Sequence, residues 1–503
     1  MDLYLLNSLT GKLEKFEHDK SKPIKWYTCG PTIYNNSHLG HARTFMSFDI
    51  IRRVLTFLGY DIIYVMNITD IDDKIIKKVQ TLSGEKEVDV DTYMKFISKM
   101  EAEFWEDMDQ LNIIRPTVMT RVTDYIDKMI KYIEQIEANG LTYTANGSVY
   151  IDSEKYLEKG YNWDVFGRAV ATDYTECEFS FEKKNKPDFA LWKTAKLGEI
   201  KFASKWGEGR PGWHLECSVM SFHVLGESID IHSGGIDLQY PHHNGEVIQS
   251  IAHENNVNNN EIPIKVFLHS GQVLVNGKKM SQSLGNFITI RDFLEKNGTA
   301  RQLRVLFLLH TWNKPLDFTD DTINEAIMTE KRLSDFYANI DHILRTGKKT
   351  ITKYSQEDTD FLEFTINAKQ QIKSCLLKNI KTKNVMVIIL ETIVNIYKYA
   401  ATDYNTVLVS RIFEYIDNML QVFGLEFGKK NNDTSADKFI DILVDFREDV
   451  RSVVKQHVKE IPKDAVSNIF KILDDVRDNK LKDEGIVIED LGVNKKNNKW
   501  KHI

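Results

Sequence analysis

The chain has 503 residues, 42% of them apolar and 28% charged, with a formal net charge of −7 and only four cysteines. That length exceeds a single hydrophobic core and calls for several domains, and the apolar share excludes a disordered or fibrous chain. The acidic balance argues against a nonspecific nucleic-acid binder, although a local basic surface is still compatible with it. No stretch reaches the roughly 18 uninterrupted apolar residues of a membrane span. The start, Met1-Asp2-Leu3-Tyr4, lacks the basic region of a signal peptide. A cytoplasmic protein without a membrane partner is therefore expected. In that setting Cys29, Cys177, Cys217 and Cys375 are not a disulfide framework, and clustered thiols point to metal binding or catalysis.

Residues 1–115 alternate strand and helix patterns, as in the first half of a nucleotide-binding sheet. Ile24 to Cys29 reads as a buried strand that runs into the turn Gly30-Pro31-Thr32 and then a helix opening with His38-Leu39-Gly40-His41. In an open parallel sheet, ligands bind beyond the carboxyl ends of the strands, and the next helix points its positive N-terminus at any phosphate there. Two imidazoles on that first turn can hydrogen-bond a phosphate or a developing oxyanion. Cys29 places a potential metal ligand in the same crevice. Thr69 ends the apolar run from Ile62 and is an N-cap candidate for the helix after it.

An inserted region is expected over 116–204, with a long helix from Thr117 to Gly140 and a charged patch at Lys183-Lys184-Asn185-Lys186. The second half of the sheet is expected over 205–270. It contains Gly209-Arg210-Pro211-Gly212-Trp213-His214-Leu215-Glu216-Cys217 and, later, Gly234-Gly235-Ile236-Asp237 followed by Pro241-His242-His243-Asn244-Gly245-Glu246. On a helix entered after Pro241, His242 and Glu246 lie four apart and share a face. Cys29, Cys217, His242 and Glu246 make a sulfur, nitrogen and oxygen set suited to zinc. Spacing alone leaves two other readings open. Cys217 and Trp213 would also serve as plain core with His242 as a helix cap, and His243 could replace His242 as the ligand. Gly235 lets backbone approach a nucleotide, and Asp237 is placed to accept from an amino group or ribose hydroxyls.

A linking region over 271–320 carries Lys278-Lys279-Met280-Ser281-Gln282-Ser283-Leu284-Gly285-Asn286. Lysine charges and hydroxyls on such a loop suit a polyphosphate that is gripped and then released. Residues 321–428 are helical in pattern, as in Ile340-Asp341-His342-Ile343-Leu344. After the polar break Lys429-Lys430-Asn431-Asn432-Asp433, residues 429–503 end in Gly485-Ile486-Val487-Ile488-Glu489-Asp490 and a tail with four lysines around Trp500. A solvated tail has that composition, and so does a surface for single-stranded RNA, whose splayed bases stack on aromatic rings.

His38-Leu39-Gly40-His41 resembles the HIGH signature, and Lys279-Met280-Ser281-Gln282-Ser283 the KMSKS signature, of the class I aminoacyl-tRNA synthetases. Together with Thr28-Cys29-Gly30-Pro31, Arg210-Pro211-Gly212-Trp213-His214 and Pro241-His242-His243, in this order, they resemble the cysteinyl-tRNA synthetase family. The resemblance covers essentially the whole chain. It implies an α/β Rossmann-type nucleotide-binding parallel sheet with an inserted connective domain, a helical bundle, and a small C-terminal anticodon-binding domain. The implied reaction activates cysteine with ATP to cysteinyl-adenylate and transfers it to the 3′ end of tRNA(Cys).

The resemblance further implies that His38, His41, Lys279 and Ser281 are catalytic. It puts Gly30, Thr32, Gly40, Gly235, Asp237 and Gln282 around ATP, and Cys29, Thr69 and Trp213 around cysteine. Cys29, Cys217, His242 and Glu246 become the ligands of one Zn²⁺, and Asp490 and Trp500 become tRNA contacts. Mg²⁺ is expected with ATP, and the chain is expected to be a monomer. A zinc that takes the substrate thiol explains selection against serine, since shape alone separates near-isosteres by only about 1–3 kcal/mol. One departure is Gln282, which stands where the family's loop carries its second lysine. A ligase joining cysteine to an amino-sugar is the nearest alternative, and the tail argues against it. A catalytically silent paralogue is opposed by the intact His38, His41 and Lys279.

Overall fold

The apolar runs Ile24–Thr28 and Ile62–Ile68 pair in parallel, with Trp26 beside Tyr64 and Thr28 beside Met66. Their side chains are buried on both faces, as strands of a helix-covered parallel sheet must be. The computed structural model describes residues 2–85, 87–167, 182–255, 262–280, 285–296, 298–348, 353–427, 434–483, 486–489 and 499–502. Its main sheet has five parallel strands in the spatial order Ile264–Ser270, Ile229–Gly235, Ile24–Thr28, Ile62–Ile68 and Val118–Arg121. The chain leaves Ile24–Thr28 toward one side of the sheet and returns on its other side with Ile229–Gly235. The switch point therefore lies at the carboxyl ends of these two strands, where such sheets open a ligand crevice.

Helix Leu39–Phe57 buries Ala42, Met46, Phe48, Val54 and Leu55. Helices Trp213–Leu225 and Asn244–Glu254 pack on each other and contribute Leu215, Met220, Val247 and Ala252 to one core with Tyr27 and Val65. A separate four-stranded antiparallel sheet (Thr142–Ala145, Ser148–Ile151, Ala190–Thr194 and Gly209–Pro211) lies in the chain between the main-sheet strands Val118–Arg121 and Ile229–Gly235, so its last strand falls within the stretch expected to resume the main sheet.

The expected helix from Thr117 to Gly140 is corrected. Val118–Arg121 is the fifth strand of the main sheet, Val122–Tyr125 is a single tight turn, and the helix is Ile126–Ala138. The β-branched Val118 and Thr120 lose side-chain freedom in a helix and suit an extended edge strand. Thr117 also accepts the backbone N–H of Tyr64 at 3.1 Å, which holds the edge in register.

Lys278–Lys279 and Val273–Val275 form a hairpin through Asn276 and Gly277, both at positive φ (50° and 75°), and Leu316–Phe318 completes this small sheet. Asn-Gly is the residue pair that such a two-residue turn demands.

The chain divides into two compact units. The first comprises Met1–Ala326, Lys373–Val385 and Val422–Gly424, and the second Ile327–Ile372, Met386–Gln421 and Leu425–Ile503. Within the second, Ile389, Ile393 and Ile396 lie on one stripe of a helix, and Leu408, Ile412 and Ile416 on one stripe of the next; all are buried. Tyr337 donates to Asp417 at 2.7 Å. Strands Ile486–Glu489 and Lys499–His502 pair antiparallel, and Ile486 and Ile488 pack with Val444. Among the described residues, no helix is long and apolar enough to cross a membrane.

In the first unit the buried guanidinium of Arg304 bonds Asp49 (2.7 Å) and the carbonyls of Leu111 (2.7 Å), Asn112 (2.8 Å) and Phe423 (3.2 Å). Removing one partner of such a network strands the other as an uncompensated buried charge. Arg304→Met is expected to lower unfolding stability by about 3 kcal/mol, read as a lower urea midpoint. A loss within experimental error would show that Arg53, which also bonds Asp49 at 2.9 Å, suffices alone.

Candidate active site

The crevice at the switch point is a cleft of about 360 Å³ lined by Cys29, Gly30, Thr32, His38, Gly40, His41, Thr69, Trp213, Cys217, Gly235, Asp237, His242 and Lys279 among others. Its floor begins where strand Ile24–Thr28 ends. A Cβ on Gly30 would lie 1.7 Å from the Asn67 carbonyl oxygen, so only glycine lets the two strand ends run this close.

His38 is the N-cap of helix Leu39–Phe57. Its Nδ1 accepts the backbone N–H of Gly40 (3.0 Å) and of His41 (3.3 Å), while His41 Nδ1 accepts that of His38 (3.4 Å). Backbone N–H groups only donate, so both Nδ1 atoms are bare and each neutral ring carries its proton on Nε2. Burial pushes His38 down to about 4, and burial followed by the neighbouring His38 holds His41 well below its ordinary value. The rings stack at 3.8 Å. The pair thus brings two N–H donors to the cleft without a positive charge. A Cβ at position 40 would strike the His38 ring at 2.7 Å, which explains the glycine between the histidines.

The segment after the lysine loop is tied to this cap. Leu39 N–H donates to Ile288 O (3.1 Å), Ile290 N–H donates to Ser37 O (2.9 Å), and Phe287 meets the His38 ring edge-on at 5.0 Å. Lys279 is exposed at the cleft, and its carbonyl accepts from Asn286 at 3.2 Å. Ser281 and Gln282 lie outside the described residues, as does Asp490. Trp500 sits in strand Lys499–His502 opposite Ile488.

Opposite the histidines, Cys29, Cys217, His242 and Glu246 are all buried, and their ligand atoms lie within 4.8 Å of one another. Cys29 Sγ is 3.5 Å from Cys217 Sγ and 3.5 Å from Glu246 Oε1, and His242 Nε2 is 3.1 Å from that oxygen. Two sulfurs bound at 2.3 Å to a tetrahedral zinc stand about 3.8 Å apart, so the pair needs almost no movement to accept the ion. Burial raises both thiols above their ordinary values, and a divalent cation is what would ionise them. The donor set fits zinc. Cys29 and Glu246 also share a second grouping with His232 and His243. Cys217 and His242 line the cleft together with Cys29, whereas His232 and His243 do not. Trp213 stacks on His242 at 4.4 Å, one turn before Cys217.

A family profile described as the class I (C) tRNA synthetase catalytic domain matches residues 15–328. The cysteine–tRNA ligase of Encephalitozoon cuniculi is 38% identical over 490 residues, 97% of each chain. The chain belongs to the cysteine–tRNA ligase family. The cytoplasmic cysteine–tRNA ligase of Dictyostelium discoideum is 40% identical over 84% of this chain, which spans 66% of that longer relative. Among solved structures, Mycobacterium tuberculosis methionyl-tRNA synthetase in complex with methionyl-adenylate superposes with a TM-score of 0.56 at 13% identity, over 80% of this chain and 90% of that one. At that identity the likeness is one of fold.

Within this family member several polar groups make contacts that the motifs alone do not announce. Asp72 caps helix Asp73–Ser83, which leaves Thr69 free of that task. Thr69 instead donates to the buried Glu216 and accepts from Asn67. Asn67 is a polar residue inside an apolar strand and points to the same side as Thr69, which is the signal that would have found it. His214 meets His242 Nδ1-to-Nδ1 at 3.0 Å, so a His242 that gives Nε2 to a metal donates its Nδ1–H to His214.

The His38 shift has a sign that can be tested. Its folded value, about 4, lies below the unfolded value of about 6.5, so the unfolded chain holds the proton more tightly. Stability from the neutral ring is complete above pH 6.5 and is lost as pH falls through the window toward 4. The urea midpoint should therefore decline from pH 7 to pH 5. In His38→Asn, which keeps an N-cap, the decline should be shallower by up to about 1.4 kcal/mol per pH unit. Equal slopes in the two proteins would contradict the assignment.

Proposed function

We propose that the protein is a cysteine–tRNA ligase that converts L-cysteine and ATP to cysteinyl-adenylate and pyrophosphate, then passes the cysteinyl group to the 3′ end of tRNA(Cys). The observation that carries this reading is the juxtaposition, in one cleft, of a neutral histidine pair on a helix N-terminus and a buried two-thiol, imidazole and carboxylate cluster.

The substrate carboxylate attacks the α-phosphorus of ATP, and the bond from that phosphorus to the bridging oxygen breaks. His38 and His41 donate Nε2–H to the phosphate oxygens as negative charge shifts toward the leaving group. Their neutrality leaves no proton to be lost during this step. Lys279 and the loop residues Ser281 and Gln282 grip the departing pyrophosphate, with Mg²⁺ accompanying ATP. Gly30, Thr32, Gly40, Gly235 and Asp237 shape the nucleotide side, and Thr69 and Trp213 bound the amino acid. Cys29, Cys217, His242 and Glu246 would hold zinc, which supplies a soft Lewis acid for the cysteine sulfur and a poor one for serine's hydroxyl. Residues 429–503, with Asp490 and Trp500, are assigned to the anticodon. The assigned compartment is the cytoplasm, and the assigned state is a monomer.

Protein purified without chelator should carry one zinc per chain. Cys217→Ser should weaken zinc retention at least tenfold in chelator competition and reduce cysteine-dependent pyrophosphate exchange in parallel, since a hydroxyl is a poor substitute for thiolate. A zinc-free wild-type sample with full exchange activity would refute the metal assignment. Lys279→Ala should lower the kcat of exchange about 100-fold while the cysteine KM stays within about twofold, because its charge acts as pyrophosphate departs. A raised KM with normal kcat would instead make Lys279 a ground-state binding residue.

A further inference from the structure

Beneath the cleft, Asn67, Thr69 and Glu216 are 1%, 3% and 2% exposed and form a chain of hydrogen bonds whose direction can be worked out. The Gly30 backbone N–H only donates, and it meets Asn67 Oδ1 at 2.8 Å, which settles which end of the amide is oxygen. The other end, Nδ2, therefore donates to Thr69 Oγ1 at 3.2 Å. A hydroxyl has one proton and two lone pairs. With one lone pair occupied by Asn67, Thr69 sends its proton to Glu216 Oε2 at 3.0 Å. One lone pair is left on a residue that lines the cleft.

We infer that Glu216 is a positioning residue that makes Thr69 a hydrogen-bond acceptor, and that the group Thr69 accepts from is the α-ammonium of the substrate amino acid. This deepens the cysteine-activating reading and rests on it. An ammonium can only donate, and a carboxylate can only accept, so a hydroxyl whose proton is already committed selects the first and repels the second. Asn67 Oδ1 also lies 3.7 Å from Cys217 Sγ, which places this relay against the thiol cluster. A substrate with its sulfur at that cluster and its ammonium on Thr69 has its carboxylate left over for the histidine side of the cleft. Without Glu216 the Thr69 proton has no buried acceptor and turns toward the ligand, facing an ammonium donor to donor.

The test compares two fragments of the substrate as competitive inhibitors of cysteine-dependent pyrophosphate exchange. Cysteamine keeps the thiol and amine, and 3-mercaptopropionate keeps the thiol and carboxylate. In Glu216→Leu the cysteine KM and the cysteamine inhibition constant should both rise about tenfold or more, the loss expected for a hydrogen bond to a charged group. The inhibition constant of 3-mercaptopropionate, the KM for ATP and the zinc content should stay within twofold. Glu216→Gln, whose amide oxygen still accepts, should recover most of the loss. Thr69→Val must show the same split between the two fragments, and adding Glu216→Leu to it must add nothing to the cysteine KM. Thr69→Val supplies this readout even where Glu216→Leu fails to fold. Equal weakening of both fragments, or additive effects of the two substitutions, would overturn the proposal and leave Glu216 as packing. A wild-type protein with no cysteine-dependent exchange at all would remove the functional reading, and the inference with it.

Discussion

Four ligand atoms brought within 4.8 Å of one another by residues 29, 217, 242 and 246 are the constraint around which the catalytic half is arranged. Two thiols, an imidazole and a carboxylate do not stay together in a dry site unless rigid elements hold them there. Cys29 is held by the end of a strand whose neighbours run beside it on both sides. Cys217 is held by a helix packed against that sheet, and His242 and Glu246 by the entry of another. Around them His232 approaches Glu246 at 3.2 Å and His214 approaches His242 at 3.0 Å, so the ligands are themselves oriented.

Across the cleft the logic is the reverse. Here the buried polar groups facing the cleft are two neutral rings. The His38–His41 pair spends both Nδ1 atoms on capping its own helix, and this fixes the tautomer. A carboxylate partner would raise the imidazole values, and burial without one lowers them. The result is a donor pair of constant protonation across the physiological range.

The parallel sheet was legible in the sequence because Ile24–Thr28 and Ile62–Ile68 are continuous apolar runs bounded by turn residues. Val118–Arg121 was not. It is four residues long, polar at half of them, and sits directly before the strong helical stripe Ile126, Met129, Tyr132, Ile133 and Ile136, whose period spread backward over it. At the site, Cys29, Cys217, His242 and Glu246 could be joined through family resemblance but not through spacing, since almost 190 residues separate the first two. Asn67 announces itself as a polar residue inside an apolar strand, but Glu216 was invisible for another reason. Glu216 does not line the cleft and reaches it through Thr69, and a relay of that kind exists in three dimensions alone.

The segment with the lysine loop joins the small hairpin sheet to the histidine side of the cleft. Its downstream end is pinned to the histidine cap by the backbone pairs Leu39–Ile288 and Ile290–Ser37, and its upstream end leaves a tight hairpin at Lys278–Lys279. The described ends of this segment are thus both anchored, one of them at the helix proposed to face the phosphate. Lys279 itself lies in that paired hairpin, so its backbone is held in place beside the cleft, and this suits the leaving-group role proposed for it. With Gln282 where the family's second lysine would stand, Lys278 is the adjacent cation in the same hairpin.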